Sequence, residues 1–429
     1  MENKILKYYF FVLFSLIPIS IIIGPAISLS NIILIDLSFI IFALFSKKNI
    51  FILNQTTKIL FFLYFYLIFN SIISQDFLIG VPRNFGFIRF IILFFAFNYF
   101  FNDNEYFNKI IFVWTLVIFF VASDVFIERF TGTNILGYGA EYINGISQSG
   151  GNRVVSFFKD EAVVGAYINA FYLIIIGFLF NLNTDISKNY KKLILLISLF
   201  FFISIFATGE RSNTIKTFMG FLIFYYFNEN FKLKDKLFFI ISMIILLSLS
   251  ISTSSFLKQR YVEHLATPII NQIFDIEYKS ETGKWVKNNV TTSLYFKHYQ
   301  SAISVFKNYP LLGVGNKNYR VVTCDLIKNK NYLCSTHPHQ VYFEFLAEHG
   351  LIGSIILIFL LFNLIFIKLG VILRSKNYIQ IGCLIFLLTS FTPLLPTGSF
   401  FGDFNLTLFW INLALMYSVG KKTNIYLSN

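Results

Sequence analysis

Twelve apolar runs, each near the length that crosses a bilayer and each bounded by polar loops, leave this chain few folds to choose from. They fall at about residues 8–24, 27–46, 58–74, 86–102, 108–128, 161–181, 192–208, 213–228, 237–253, 351–369, 377–395 and 403–420. A helix needs roughly 20 residues to cross a hydrocarbon core about 30 Å thick. The runs lack the apolar–polar alternation of barrel strands, so hydrogen bonds within helices must satisfy the backbone in lipid. Composition agrees: 56% of residues are hydrophobic, 57 are phenylalanine and 13% are charged, which excludes an ordinary soluble domain. The expected fold class is an all-α polytopic membrane protein with about twelve transmembrane helices. The first run has no small-residue cleavage site and leads into the second, so it is expected to stay in the membrane as a span.

The formal net charge of +13 is not accompanied by any aromatic–basic recognition module, so no nucleic-acid partner is expected. The lysines gather at the ends of the runs instead. With the N-terminus in the cytoplasm, Lys4, Lys7, Lys47, Lys48, Lys188, Lys191, Lys192, Lys232, Lys234, Lys236, Arg374, Lys376, Lys421 and Lys422 fall on one side, as positive-inside orientation requires. The other side receives the loop 129–160, the turn at Arg211, the segment 254–350 and the turn Pro393–Asp403. All five histidines, at 264, 298, 337, 339 and 349, lie there too.

A single membrane domain is expected, with nine helices in residues 1–253, a loop in 254–350 that carries the histidines, and three helices in 351–429. Residues 254–338 hold eleven Lys and Arg against five Asp and Glu and a turn signal at Thr282-Gly283. So long and polar a segment is expected to form a small helical extramembrane subdomain, with one helix over about Thr292–Lys307.

Within that loop, Pro310–Gly353 reads as chemistry. Pro338 disfavours helical geometry at His337 and suits a position just before a helix, so a helix is expected to open near His339 and run to Glu348, where Gly350 ends it. His339, Tyr342, Phe343 and Leu346 would share one face. Upstream, Pro310, Gly313 and Gly315 mark a turn. The series Pro310-Leu311-Leu312-Gly313-Val314-Gly315, then His337-Pro338-His339-Gln340, then Glu348-His349-Gly350 with Gly353, resembles the signature of the O-antigen ligase and O-antigen polymerase superfamily. Gln340 replaces the commoner asparagine and keeps the side-chain amide. The resemblance also touches Arg153 and Arg211, and it implies a GT-C-like membrane enzyme with a large extracytoplasmic loop.

The resemblance implies that a polyisoprenyl-diphosphate-linked saccharide is transferred to an acceptor hydroxyl on the periplasmic face of a bacterial inner membrane. The acceptor is a growing surface polysaccharide or lipid A core, and membrane lipids are the remaining partners. The transfer is expected to be inverting and metal-independent, without a cofactor. Neither an H-E-x-x-H motif nor a cysteine pair at ligand spacing is present. The form of the histidine motif and the run Gly398–Asn405 lean toward a polymerase. The alternative is a transporter or flippase of lipid-linked glycans, which predicts interrupted helices in two related halves.

His339 is the leading catalytic candidate, because a neutral imidazole accepts a proton from a sugar hydroxyl; the bland alternative is a helix cap. His337 and His349 stand behind it. Arg211 and Arg153 are candidates for the diphosphate, since guanidinium forms forked hydrogen bonds to phosphate; the alternatives are headgroup anchors or bridges to Glu210 or Glu161. Many family members carry a further arginine in the helix leading to the Pro310 turn, where this chain has Tyr295, Phe296, Lys297 and His298. Lys297, His298, Arg260 and Arg320 are the candidates to replace it. Asp36 and Arg89 read as an ion pair between helices, with a lipid-phosphate groove as the alternative, and Asp124 as a residue bordering the site. Cys324 and Cys334 are expected to form a disulfide in the oxidising compartment, whereas Cys383 lies in a span and stays free.

Overall fold

Local capping chemistry gives the apolar runs their ends. The computed structural model describes residues 4–46, 51–101, 104–139, 142–143, 146–147, 153–159, 161–182, 187–274, 276–279, 285–287, 294–325, 331–419 and 425–426. A bent pair opens the chain, α1 (Lys4–Ser15) and α2 (Ile17–Ile23), followed by α3 (Pro25–Phe45). Gly24, at φ 142°, makes the turn, and Pro25 starts α3 where its missing N–H costs nothing. Next come α4 (Gln55–Ile72), α5 (Phe77–Phe85), α6 (Ile88–Phe100) and α7 (Asn104–Thr131). Asn54 and Thr57 form a reciprocal cap at the start of α4, and Asp76 caps α5.

After a small hairpin, β1 (Tyr142–Ile143) and β2 (Ile146–Ser147), the bundle continues with α8 (Val164–Leu182), α9 (Lys188–Ala207), α10 (Arg211–Phe227) and α11 (Leu233–Thr253). The stretch beyond holds α12 (Ser255–Leu257), a π-helix over Lys258–Ala266, α13 (Thr267–Ile273), a second hairpin of β3 (Glu277–Lys279) and β4 (Trp285–Lys287), α14 (Leu294–Asn308) and α15 (Tyr319–Thr323). The bundle closes with α16 (Val341–Ile365), α17 (Leu369–Arg374), α18 (Tyr378–Ser390) and α19 (Asp403–Ser418).

Each expected span falls on a helix, yet not every one has the length to cross. Among the described residues seven stretches are long and apolar enough, or eight if the bent α1–α2 pair counts as one. The helices α10, α18 and α19 have 17, 13 and 16 residues, short of the roughly 20 a crossing takes. The expected purely helical extramembrane segment also contains the β3–β4 hairpin. Its helix begins at Leu294 and ends at Asn308. The Thr282-Gly283 turn, Thr292, Lys47, Lys48, Lys421 and Lys422 lie outside the described residues.

α8 is the central post: 83% of its apolar window is buried, against 11% for α11, which faces outward. Its neighbour α18 approaches closely because glycines face it from both sides. A Cβ on Gly177 would collide with the Tyr378 carbonyl, and one on Gly382 would lie 2.6 Å from the Leu173 carbonyl oxygen. Lipid tails are as apolar as the helices, so tight packing of this kind holds them together. Aromatic contacts add to it, with Phe14 edge-on to Phe97 at 5.0 Å and Phe90 stacked on Trp410 at 5.9 Å between ring centres. Outside the bundle, Ala302, Val305, Val314, Tyr319, Val322, Tyr332 and Ala347 form a separate small core that seats α14 and α15 against the start of α16.

Candidate functional site

The Pro310 turn and α16 are one folded unit. Gln340, not His339, opens the helix, because its Oε1 accepts from the N–H groups of Tyr342 (2.8 Å) and Phe343 (3.2 Å). His339 therefore sits in the loop with φ 60°, rather than on the helix face with Tyr342, Phe343 and Leu346. Gly350 kinks the helix without ending it: its φ of 64° breaks the hydrogen-bond ladder, and α16 resumes beyond. The turn fills the break. Val314 and Gly315 N–H donate to the Ala347 (3.0 Å) and Glu348 (2.8 Å) carbonyls, while Leu351 and Ile352 N–H donate to Pro310 (2.8 Å) and Leu311 (3.1 Å). A Cβ on Gly313 would strike the Glu348 backbone, so only glycine permits this approach.

The cap leaves the two motif histidines beside a third. His339 lies 4.1 Å from His337 and 4.6 Å from His298 of α14, ring centre to ring centre. The His339 carbonyl accepts from Thr397 N–H at 2.8 Å, which ties the loop to the turn before α19. His337 Nδ1 lies 2.9 Å from the Thr336 hydroxyl, while His337 Nε2 and His298 Nδ1 are buried without a hydrogen-bond partner. Burial, and then His298, push the His339 pKa down to about 4. Burial, His339 and Lys317 push His337 down to about 3, and burial lowers His298 as well. The cluster is thus a set of neutral imidazoles. His349 stands apart, fully buried in the bundle with Nδ1 3.0 Å from the Tyr66 hydroxyl, where it joins α4 to α16.

The arginines meet at the turn between α9 and α10, where Gly209 has φ 78°. Arg260, on the π-helix, donates through Nε and Nη2 to the Gly209 carbonyl at 3.3 and 3.1 Å. Arg211 donates to the His264 carbonyl at 2.5 Å, and Val154 N–H, next to Arg153, donates to the Thr208 carbonyl at 3.1 Å. Burial, and then the charges of Arg211 and Arg153, hold the Arg260 pKa below its usual value. Arg153 Nε is buried without a hydrogen-bond partner. Glu210 does not bridge to Arg211; it accepts from Gly165 N–H and from the Asn213 amide, both at 2.6 Å, and so caps α8. Tyr261 pins the π-helix by donating to the Phe206 carbonyl at 3.0 Å while stacking on its ring at 4.2 Å. Irregular helices of this sort recur at functional sites.

Of the four candidate cations, Arg260 is the one that the fold places beside Arg153 and Arg211. His298 belongs to the histidines, while Lys297 and Arg320 occupy exposed faces of α14 and α15. Tyr295, also on α14, packs its ring edge-on to His339, 6.1 Å between ring centres. Arg129, stacked 4.0 Å over Phe256 and bonded to the Ala207 carbonyl at 2.9 Å, is a further cation near the same turn that sequence reasoning missed.

Also missed was a polar seam behind the histidine loop. Lys317 donates to the Ser399 hydroxyl at 2.6 Å, and Ser399 donates to Glu344 at 2.6 Å; Phe400 N–H adds a bond to the same carboxylate at 2.8 Å. Glu348, one turn further along α16, is buried as well. Two acids four residues apart in an apolar helix were the available signal.

Two other expectations change. Asp124 accepts from the Ser156 hydroxyl (2.5 Å) and Ile135 N–H (3.0 Å), so it anchors the loop that carries Arg153 rather than bordering the site. Arg89 pairs with Asp403 at 2.8 Å, and Asp36, facing the same arginine, is buried without a hydrogen-bond partner. Cys324 and Cys334 are joined by a disulfide just before the histidine loop, and Cys383 is a free, buried thiol.

Residues 196–358 match the family model described as O-antigen ligase. That segment contains Arg211, Arg260, the Pro310 turn, all three clustered histidines and the kink. The match supports the O-antigen ligase superfamily, and with the apolar helices it makes this a multi-pass membrane protein. No curated protein matches the chain.

Proposed function

We propose that this multi-pass protein of the O-antigen ligase superfamily transfers a saccharide from a polyisoprenyl diphosphate to an acceptor hydroxyl at the periplasmic face of a bacterial inner membrane. The observation that supports this reading best is that the chain builds two groups of matching chemistry: Arg153, Arg211 and Arg260 gathered around the Gly209 turn, and the His298–His337–His339 imidazoles packed ring to ring. The arginines suit a diphosphate, and the neutral His339 suits a hydroxyl proton. In the step we favour, the acceptor oxygen attacks the anomeric carbon and its proton passes to His339. The bond from that carbon to the diphosphate oxygen breaks, and the lipid diphosphate leaves with the electron pair. Guanidinium groups fixed in a partly desolvated site stabilise the charge that gathers there. A single displacement inverts the anomeric centre. The acceptor is a second lipid-linked glycan or lipid A core, and no cofactor is called for.

The test uses purified full-length protein with a lipid-linked oligosaccharide and an acceptor. Transfer without translocation is expected. His339→Ala should abolish transfer while the protein remains folded and membrane-inserted. Arg211→Lys should lose most of it, because lysine keeps the charge and loses the fork. Translocation without transfer would replace this reading with a carrier, and full activity in His339→Ala would remove the base.

A further inference from the structure

A cavity of about 180 Å³ opens beside the break between α2 and α3, and it shares no lining residue with the arginine and histidine groups. It lies at the same end of the bundle as they do. Phe158, in the loop that follows Arg153, meets Phe404 at the start of α19 with ring centres 6.1 Å apart, and both rings line the cavity. One wall is apolar, formed by Ile22, Leu29 and Ile32; the other carries Arg89, Lys159, Glu161 and Asp403.

That wall leaves a donor unused, because Arg89 Nε is buried without a hydrogen-bond partner. Arg83 and Arg89 both pair with the same oxygen of Asp403, so two guanidinium groups share one carboxylate. Asp36 on α3 acts on Arg89 as well, and Lys159 offsets Glu161, so the charges balance and it is the unused Arg89 Nε that calls for an acceptor. Arg89 is held in place: its side chain is only 12% exposed and its Cζ sits 4.6 Å over the Phe90 ring. A cation held this far from water favours an anionic partner, and guanidinium suits phosphate oxygens in particular. A free phosphate would leave the apolar wall wet, whereas an amphiphile satisfies both walls.

We propose that this cavity binds the phosphate headgroup of a membrane-anchored lipid, with the chain lying along Ile22, Leu29 and Ile32. The inference stands without the transfer reading. If transfer also holds, the same end of the bundle carries two lipid-phosphate positions, one at the arginine trio and one here, as joining two lipid-anchored partners requires.

The test measures binding of dioleoyl phosphatidate to the purified full-length protein in detergent, with inorganic phosphate and dioleoyl phosphatidylcholine as separate probes. Saturable binding of the phosphatidate is expected. Arg89→Gln and the cavity-filling Leu29→Trp should each weaken it by about tenfold or more, the scale of one charge-assisted hydrogen bond or of steric exclusion, while Lys307→Gln, which removes an exposed cation of α14, leaves it unchanged. Should Arg89→Gln fail to fold, Lys159→Gln and Leu29→Trp decide, with a weaker effect expected for the exposed lysine. Unaltered affinity in Leu29→Trp would overturn the location. Equal binding of inorganic phosphate would overturn the lipid, and equal binding of phosphatidylcholine would overturn the preference for an anion. Loss in Arg211→Gln alone would assign the lipid to the arginine trio.

Discussion

His339 is half-buried and of depressed basicity, and the second property follows from the first and from its neighbours. Burial and His298 hold its folded-state pKa near 4, well below the ordinary 6.5, so the ring is neutral throughout the physiological range. Between those two values the unfolded chain binds a proton that the folded loop refuses. Stability should therefore be insensitive to this group above pH 6.5, fall as the pH drops below it, and level off near pH 4. His337, pushed down to about 3, adds to the same trend over a wider window. Activity should follow: the acid limb of kcat/KM, which reports the free enzyme, is expected to have its midpoint below 6. In His298→Gln the lesser of the two causes is removed while burial stays, so the limb should move up only part of the way toward 6.5. A wild-type midpoint at or above 6.5 would show that another group governs the limb.

The kinked α16 decides how the histidine loop is held. Its break at Gly350 exposes two carbonyls and two N–H groups, and the Pro310 turn satisfies all four. Gly350→Ala would put a non-glycine residue at φ 64° and a Cβ 2.5 Å from the Leu311 carbonyl carbon. The left-handed conformation alone costs about 1–2 kcal/mol, and the collision adds to it, so a lower Tm and lost activity are expected. Gly370→Ala is the matched control, because no atom lies within 4 Å of its Cβ position, and it should leave Tm nearly unchanged or raise it. Equal thermal stability of the two variants would mean that the turn does not depend on the kink.

Over the whole molecule, charge is sorted to opposite ends. Lys191 donates to the Asn230 carbonyl at 2.6 Å, Lys236 to the Tyr226 carbonyl at 3.0 Å, and Lys376 pairs with Glu229, so these cations collect at the end of α10 remote from Arg211. On the positive-inside rule we propose that this end faces the cytoplasm. Reporter fusions after Lys48, Lys192 and Lys236 should then report cytoplasm, and fusions within 260–330 the outside. Non-reducing peptide mapping should recover Cys324 linked to Cys334, as an oxidising compartment allows. A fusion pattern with the two groups exchanged would dismantle the periplasmic assignment.

What the sequence determined alone was whatever depends on local chemistry. Hydropathy summed over some 20 residues marks a helix in lipid wherever it occurs, and glycine, proline and amide side chains mark turns and caps, so the helical membrane class, the Pro310 turn and the histidine motif were legible. The helix start was misread by two residues because Gln340 and His339 compete for the same cap, and only hydrogen-bond geometry distinguishes them. Which charges meet was decided by tertiary structure. Arg260 was one of four equal candidates until the π-helix brought it to Gly209, about 50 residues earlier in the chain. Asp403 took Arg89 from Asp36 across 314 positions, and Lys317 reached Glu344 through Ser399, 82 positions away. Side chains so distant in sequence leave no periodicity to read; their meeting is set by how the helices pack, and in a bundle held by close glycine and aromatic contacts that packing is a property of the whole chain.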